Sequence, residues 1–172
     1  QTNPVRSSRS TVGTMTELND HLKLLFARAA HLHCRRCGRE VRRDTADSIC
    51  DELFSRAAAA GDPRLLICFP VKVPKNFKEA EVLKLLESQG YTRIHQRSKT
   101  GLEVVQDRLR LGGADRSRVH ESIEAALRVG QGRLNVHVLD DGERDSAQTR
   151  ELWRYSNQLH CAECDLDYRE AN

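Results

Sequence analysis

"LHCRRCG" (32–38) and, far downstream, "LHCAECD" (159–165) write the same pattern twice, Leu-His-Cys-x-x-Cys. Two cysteines separated by two residues aim both sulfurs at one point on a tight turn. Two such turns supply four thiolates, and Zn²⁺ takes four soft ligands in a tetrahedron. Cys34, Cys37, Cys161 and Cys164 are therefore read as ligands of one structural zinc ion per chain. A redox Cys-x-x-Cys belongs at a helix start in a thioredoxin-like pattern, which is missing here. A secreted disulfide scaffold fits a smaller chain led by a signal sequence. His33 and His160, next to the first cysteine of each pair, are read as packing beside or hydrogen-bonding to the site, with ligation as the alternative.

Working outward, everything between the two motifs is an excursion that leaves one metal and returns to it. By analogy with a cross-link, closing so long a loop contributes about 4–5 kcal/mol, besides the metal–ligand free energy. With four protein ligands no position is left for a reacting water, so the metal is a clamp and not a catalytic centre.

The excursion has a clear rhythm. "RLLICFPVKV" (64–73) reads as a strand and "NFKEAEVLKLLESQG" (76–90) as a helix with Phe77, Val82, Leu85 and Leu86 inward. "YTRIHQ" (91–96) and "GLEVVQDRLRLG" (101–112) read as strands, the second with Val105, Leu109 and Leu111 on its apolar side. "DRSRVHESIEAALRVG" (115–130) is a helix and "RLNVHVLD" (133–140) an alternating strand. The order β-α-β-β-α-β is that of an α+β, ferredoxin-like sandwich: an antiparallel sheet with both helices on one face. "DDGERDSAQTREL" (140–152) reads as a polar loop.

Before the excursion, Thr14 and Glu17 form a capping box. Leu18, Leu22, Leu25, Phe26 and Ala29 then make a helical apolar stripe. A further helix runs from about Asp44 to Ala60 with Ile49, Leu53 and Ala57 inward, stopped by Gly61 and Pro63. Cys50 and Cys68 sit in apolar runs and read as small core hydrophobes.

Composition narrows the function. The 172 residues suffice for one ordinary domain, or a small domain plus part of another. A net charge of +3 neither requires nor excludes nucleic acid, although the basic residues crowd toward the N-terminus. No run approaches the roughly 20 apolar residues of a membrane span, and no secretory signal opens the chain, so a reduced, cytoplasmic setting is expected. The chain starts without Met and reads as an excised piece. No phosphate loop, dinucleotide fingerprint, HExxH, GxSxG or kinase set occurs, so no enzyme is expected in this chain.

"RSSRSTVGTMTELNDHLKLLFARAAHLHCRRCG" (6–38) resembles the "NPRSTVGTxTEIxDYLRLLxARxGxxHCPxCG" stretch of the UvrA family, the damage-sensing ATPases of bacterial nucleotide excision repair. The resemblance runs through "LLICFPV", "LLESQGYTRIH", "LEVVQDRLRL" and "SIEAALRVGQGRLNVHVL" to "YSNQLHCAECDLDYRE", which is similar to that family's "FSxxxACPxCG" knuckle. The knuckles here lack the family's Pro, and the stretch after the first strand lacks its Gly-Arg-Lys-Gly-rich segment.

The resemblance implies that residues 1–43 belong to an ATPase signature domain with the first knuckle. Residues 44–155 form an inserted UvrB-binding domain, its docking part about 60–145, and residues 156–172 return to the parent through the second knuckle. It implies UvrB as partner, with ATP and DNA handled by a homodimeric parent. On a helix-free sheet face, Arg93, Arg108 and Arg110 break apolar strand patterns and are the candidate partner-binding residues. The rival reading is direct DNA contact through the Arg-rich N-terminal third.

Overall fold

The computed structural model describes residues 12, 16–74, 76–98, 101–140 and 149–169. The long apolar run at 64–72 becomes β1 (Arg64–Lys72), the middle strand of the fold. Its neighbours are β3 (Gly101–Leu109) and β4 (Arg133–Leu139), with β2 (Ile94–Ser98) outside β3 and β5 (Thr149–Ser156) outside β4. The order is β2-β3-β1-β4-β5, and every neighbouring pair is antiparallel. A continuous run rather than an alternating one suits β1, because both of its faces are covered.

The main core lies on one face. Leu65, Ile67 and Phe69 of β1, Val104 of β3, and Leu134, Val136 and Val138 of β4 meet the helices there. The helical side is α2 (Ala46–Ala59) with Ile49, Leu53 and Ala57, and α4 (Arg116–Val129) with Val119, Ile123 and Ala126. Thr45 and Ser48 form a capping box that starts α2, and the Asp115 carboxylate caps α4. On the opposite face Leu66, Cys68 and Leu139 are buried beside Val105.

Several expectations need correction. The stretch expected as loop to residue 152 is a strand from Thr149, with Trp153 and Tyr155 buried in the core; residues 141–148 lie outside the described residues. The helix α3 (Glu79–Ser88) buries Leu86, but Phe77 precedes it at 57% exposure and Leu85 is 59% exposed. Val105 and Leu109 do not share a face. A bulge pairs Ile67 with Asp107 but Cys68 with Val105, so Gln106 is the extra residue and the alternation inverts. Leu111 reaches the core from a 3₁₀ turn, Leu111–Gly113.

The first helix, α1 (Leu18–Ala29), buries no residue, and its stripe at Leu18, Leu22, Leu25 and Phe26 is exposed. Thr14, its expected cap, lies outside the described residues; Glu17 occupies the N-cap position in a left-handed conformation without a side-chain cap.

Candidate metal centre and the neck of the module

The two knuckles are built alike. In the first, the Cys34 N–H donates to Arg39 O at 2.7 Å and the Gly38 N–H to Cys34 O at 2.8 Å. Gly38 turns the chain with φ 72°. In the second, β6 (His160–Cys161) pairs with β7 (Leu166–Asp167), and Asp165 takes the left-handed place of Gly38 with φ 50°. The two histidines share a task. His33 Nδ1 donates to Gly38 O at 3.1 Å, and His160 Nε2 lies 2.9 Å from Asp165 Oδ1. Each latches the residue that follows the second cysteine of its own knuckle, which accounts for the repeated His-Cys.

The sulfurs of Cys34, Cys37, Cys161 and Cys164 all lie within 4.8 Å of one another, and those of Cys37 and Cys161 are 3.6 Å apart. A tetrahedron with Zn–S of about 2.3 Å has an edge of about 3.8 Å, so the donor set and its spacing fit that ion. Leu32, Val41, Leu166 and Tyr168 pack around the buried Cys34 and Cys161. The Tyr168 hydroxyl donates to Cys34 Sγ at 3.2 Å and accepts the Arg35 N–H at 3.0 Å.

The charge pattern of the cluster is uneven. The Tyr168 hydroxyl, then backbone N–H groups, bring the Cys34 thiol down to about 5, so it is a thiolate at neutral pH. Desolvation and the neighbouring sulfurs push Cys164 up to about 12 and raise Cys161. Four sulfurs this close ionise together only around a cation.

Ion pairs tie the knuckles to the sheet. Glu163 accepts from Arg39 of the first knuckle at 3.0 Å and from Arg154 of β5 at 2.9 Å. Arg133, at the start of β4, spans Asp165 at 2.7 Å and Asp167 at 3.2 Å. Above the knuckles the chain closes its own neck: Asp44 N–H donates to Ser156 O at 2.8 Å, and Ser156 N–H to Asp44 Oδ2 at 3.1 Å. Sequence reading missed this pair, because neither residue carries a motif.

The three arginines are placed differently from the cysteines. Arg108 lies opposite Leu66, on the sheet face turned away from the helices, and is exposed. Arg93 and Arg110 are exposed too, but they fall just outside β2 and β3 instead of on them. The Arg93 carbonyl accepts the Val105 N–H at 2.9 Å. Cys50 and Cys68 are buried, as expected of small core residues.

A five-stranded sheet backed by helices, returning to a four-cysteine base, defines the class: an α+β sheet module carried on a pair of cysteine knuckles. The family model described as "UvrA interaction domain" matches residues 94–140, from β2 to the end of β4. UvrABC system protein A of Mycobacterium bovis is 32% identical over 171 residues, which cover 91% of this chain and 17% of that protein. The protein of the same name from Deinococcus radiodurans is 33% identical over 172 residues, covering 90% and 16%, and that from Clostridium perfringens 28% over 181, covering 96% and 18%. The chain belongs to the UvrA family, as a segment about one-sixth the length of these relatives. No helix among the described residues is long and apolar enough to cross a membrane.

Proposed function

We propose that this chain is the UvrB-docking module of a UvrA protein acting in bacterial nucleotide excision repair, held at its base by one structural zinc ion. The observation that carries the reading is the match of residues 94–140 to the UvrA interaction domain. That stretch supplies β2, β3, α4 and β4, three of the five strands of the sheet. The reading places the docking surface on the helix-free face around Arg108, with Arg93 and Arg110 at its margin. Partner surfaces of this kind are polar, with Arg enriched at their energetic centres.

The ferredoxin-like reading of residues 64–139 is supported by the succession β1-α3-β2-β3-α4-β4 and the order β2-β3-β1-β4, to which β5 is an addition. The boundary of the inserted part, residues 44–155, is supported by the Asp44–Ser156 pair at its two ends. Bound zinc would join two distant turns through Cys34, Cys37, Cys161 and Cys164 and supply no reaction. ATP hydrolysis, DNA contact, dimerisation and the cytoplasmic setting belong to the parent protein in this reading.

Calorimetric titration of the zinc-loaded chain with cognate UvrB, and separately with duplex DNA, tests it. Saturable binding to UvrB with little to DNA is expected. Salt-dependent binding to DNA alone would overturn docking and make the arginines of the first knuckle, Arg35 and Arg36, the working surface.

A further inference from the structure

The helix-free face carries a second group of ligating side chains, well removed in sequence from the knuckles. Every strand of the five-stranded sheet contributes a polar side chain: Cys68 from β1, His95 from β2, Glu103 from β3, Asn135 and His137 from β4, and Thr149 from β5. Cys68 is fully buried, and the side chains of His137 and Glu103 are 4% and 15% exposed. Glu103 Oε1 lies 2.8 Å from His137 Nε2 and accepts from Asn135 Nδ2 at 2.8 Å. One ligating atom from each of Cys68, Glu103 and His137 falls within 4.8 Å of the other two. The ring of His95 packs with its centroid 4.3 Å from that of His137.

We propose that Cys68, Glu103 and His137 form a second metal site, for a borderline divalent cation of the Zn²⁺ class, with His95 as the candidate fourth ligand. One sulfur, one carboxylate oxygen and imidazole nitrogen are the donors such ions take. The charges also balance. Thiolate and carboxylate carry two negative charges against the dication, and neutral imidazoles add none.

The His95 ring packs against His137, and its Nε2 lies 3.5 Å from Thr149 Oγ1, so the ring is held beside the trio. The supporting contacts of a metal site are in place. Thr149 Oγ1 meets His137 Nδ1 at 3.2 Å, fixing the ring so that Nε2 faces Glu103, while Asn135 orients the carboxylate. Of the three proposed ligands, Glu103 lines an adjoining cleft of about 430 Å³, together with Asn135 and Asp165 of the second knuckle. A nucleophilic reading of the trio fails on access, because Cys68 is fully buried and no substrate reaches its sulfur. On binding, Cys68 releases its proton to solvent, His137 gives up the Nε2 proton and keeps one on Nδ1 facing Thr149 Oγ1, and the Glu103–His137 hydrogen bond is exchanged for two metal–ligand bonds.

Metal counting tests this without reference to docking. The whole 172-residue chain, dialysed against buffered Zn²⁺, should hold two zinc ions by atomic emission. Glu103→Gln, which keeps shape and hydrogen bonding, and Cys68→Ala, which removes only the sulfur, should each hold one. With the four-cysteine site filled by Zn²⁺, added Co²⁺ should give a thiolate charge-transfer band that Cys68→Ala abolishes. One zinc per unaltered chain would overturn the site, whatever the variants do. A second zinc that survives both substitutions in folded protein would equally overturn it.

Discussion

Asp44 and Ser156, 112 positions apart, exchange hydrogen bonds at the point where the chain enters the sheet module and leaves it. Asp44 is 8% exposed and also takes Arg42 Nε at 3.0 Å. Arg42 in turn reaches Glu52 of α2. The neck therefore has a polar closure of its own above the cysteines.

Burial, opposed by the Ser156 N–H and Arg42, raises the Asp44 carboxyl above the ordinary aspartate range. An acid with a raised folded pKa holds its proton more tightly in the folded state. Its contribution is largest at low pH and is lost as pH rises through the raised value. Measured against Asp44→Asn, the unaltered chain should lose relative stability as pH rises from about 4 toward neutrality. Thermal melts of both chains across that range check it; a constant difference would show that the carboxyl is not penalised.

Chelating the metal should unfold the knuckles and leave the sheet. The loop from Cys37 to Cys161 spans 124 positions, and losing that closure costs at most about 5 kcal/mol in the entropic picture. The Asp44–Ser156 pair and the β4–β5 ladder offset part of this. Hydrogen exchange should show protection lost at Cys34, Gly38 and Tyr168 while β1 and β4 stay protected. Simultaneous loss in β1 would mean that the metal supports the whole fold.

Tyr168→Phe removes one hydroxyl and keeps the ring against Cys34. Hydrogen bonds to a ligating atom commonly matter about 10-fold or more in metal affinity. Competition with a zinc-chelating dye should show weaker binding by about that factor and an unchanged far-ultraviolet spectrum.

Packing predictions are sharper. Phe69 is fully buried and meets Tyr91 edge-on at 5.0 Å, so Phe69→Ala should cost about 3–5 kcal/mol in denaturant melts. Gly130 closes α4 with φ −76°, a conformation any residue adopts, yet a Cβ there would stand 2.3 Å from Arg133 O and 2.8 Å from Phe69 Cβ. Gly130→Ala should therefore destabilise through collision, by about 1–3 kcal/mol.

Arg108→Glu reverses one charge on an exposed strand position. It should weaken UvrB binding at least about 10-fold while the melting temperature stays within a few degrees. Unchanged affinity would remove Arg108 from the docking surface.

The four-cysteine cluster was legible because two short motifs carry their geometry locally: Cys-x-x-Cys turns bring their own sulfurs together. The alternation of strands and helices was legible from periodicity, as in Ile49, Leu53 and Ala57 of α2. What escaped depends on neighbours. Thr149–Ser156 is a strand because β4 pairs with it, and the charged run before it hid the alternation of Trp153 and Tyr155. The bulge at Gln106 inverts a pattern that looked regular. Cys68, Glu103 and His137 meet only because β1 lies between β3 and β4, an adjacency that no local spacing records.

Both outer strands carry an irregular residue. On β2, pairing skips His95 between Ile94 and Gln96; on β5 it skips Arg150 between Thr149 and Glu151. Bulges and charge at a sheet's rim discourage another chain from adding as a further strand. Recognition by backbone augmentation is thereby disfavoured at both rims, which leaves the sheet's own five strands as a closed set.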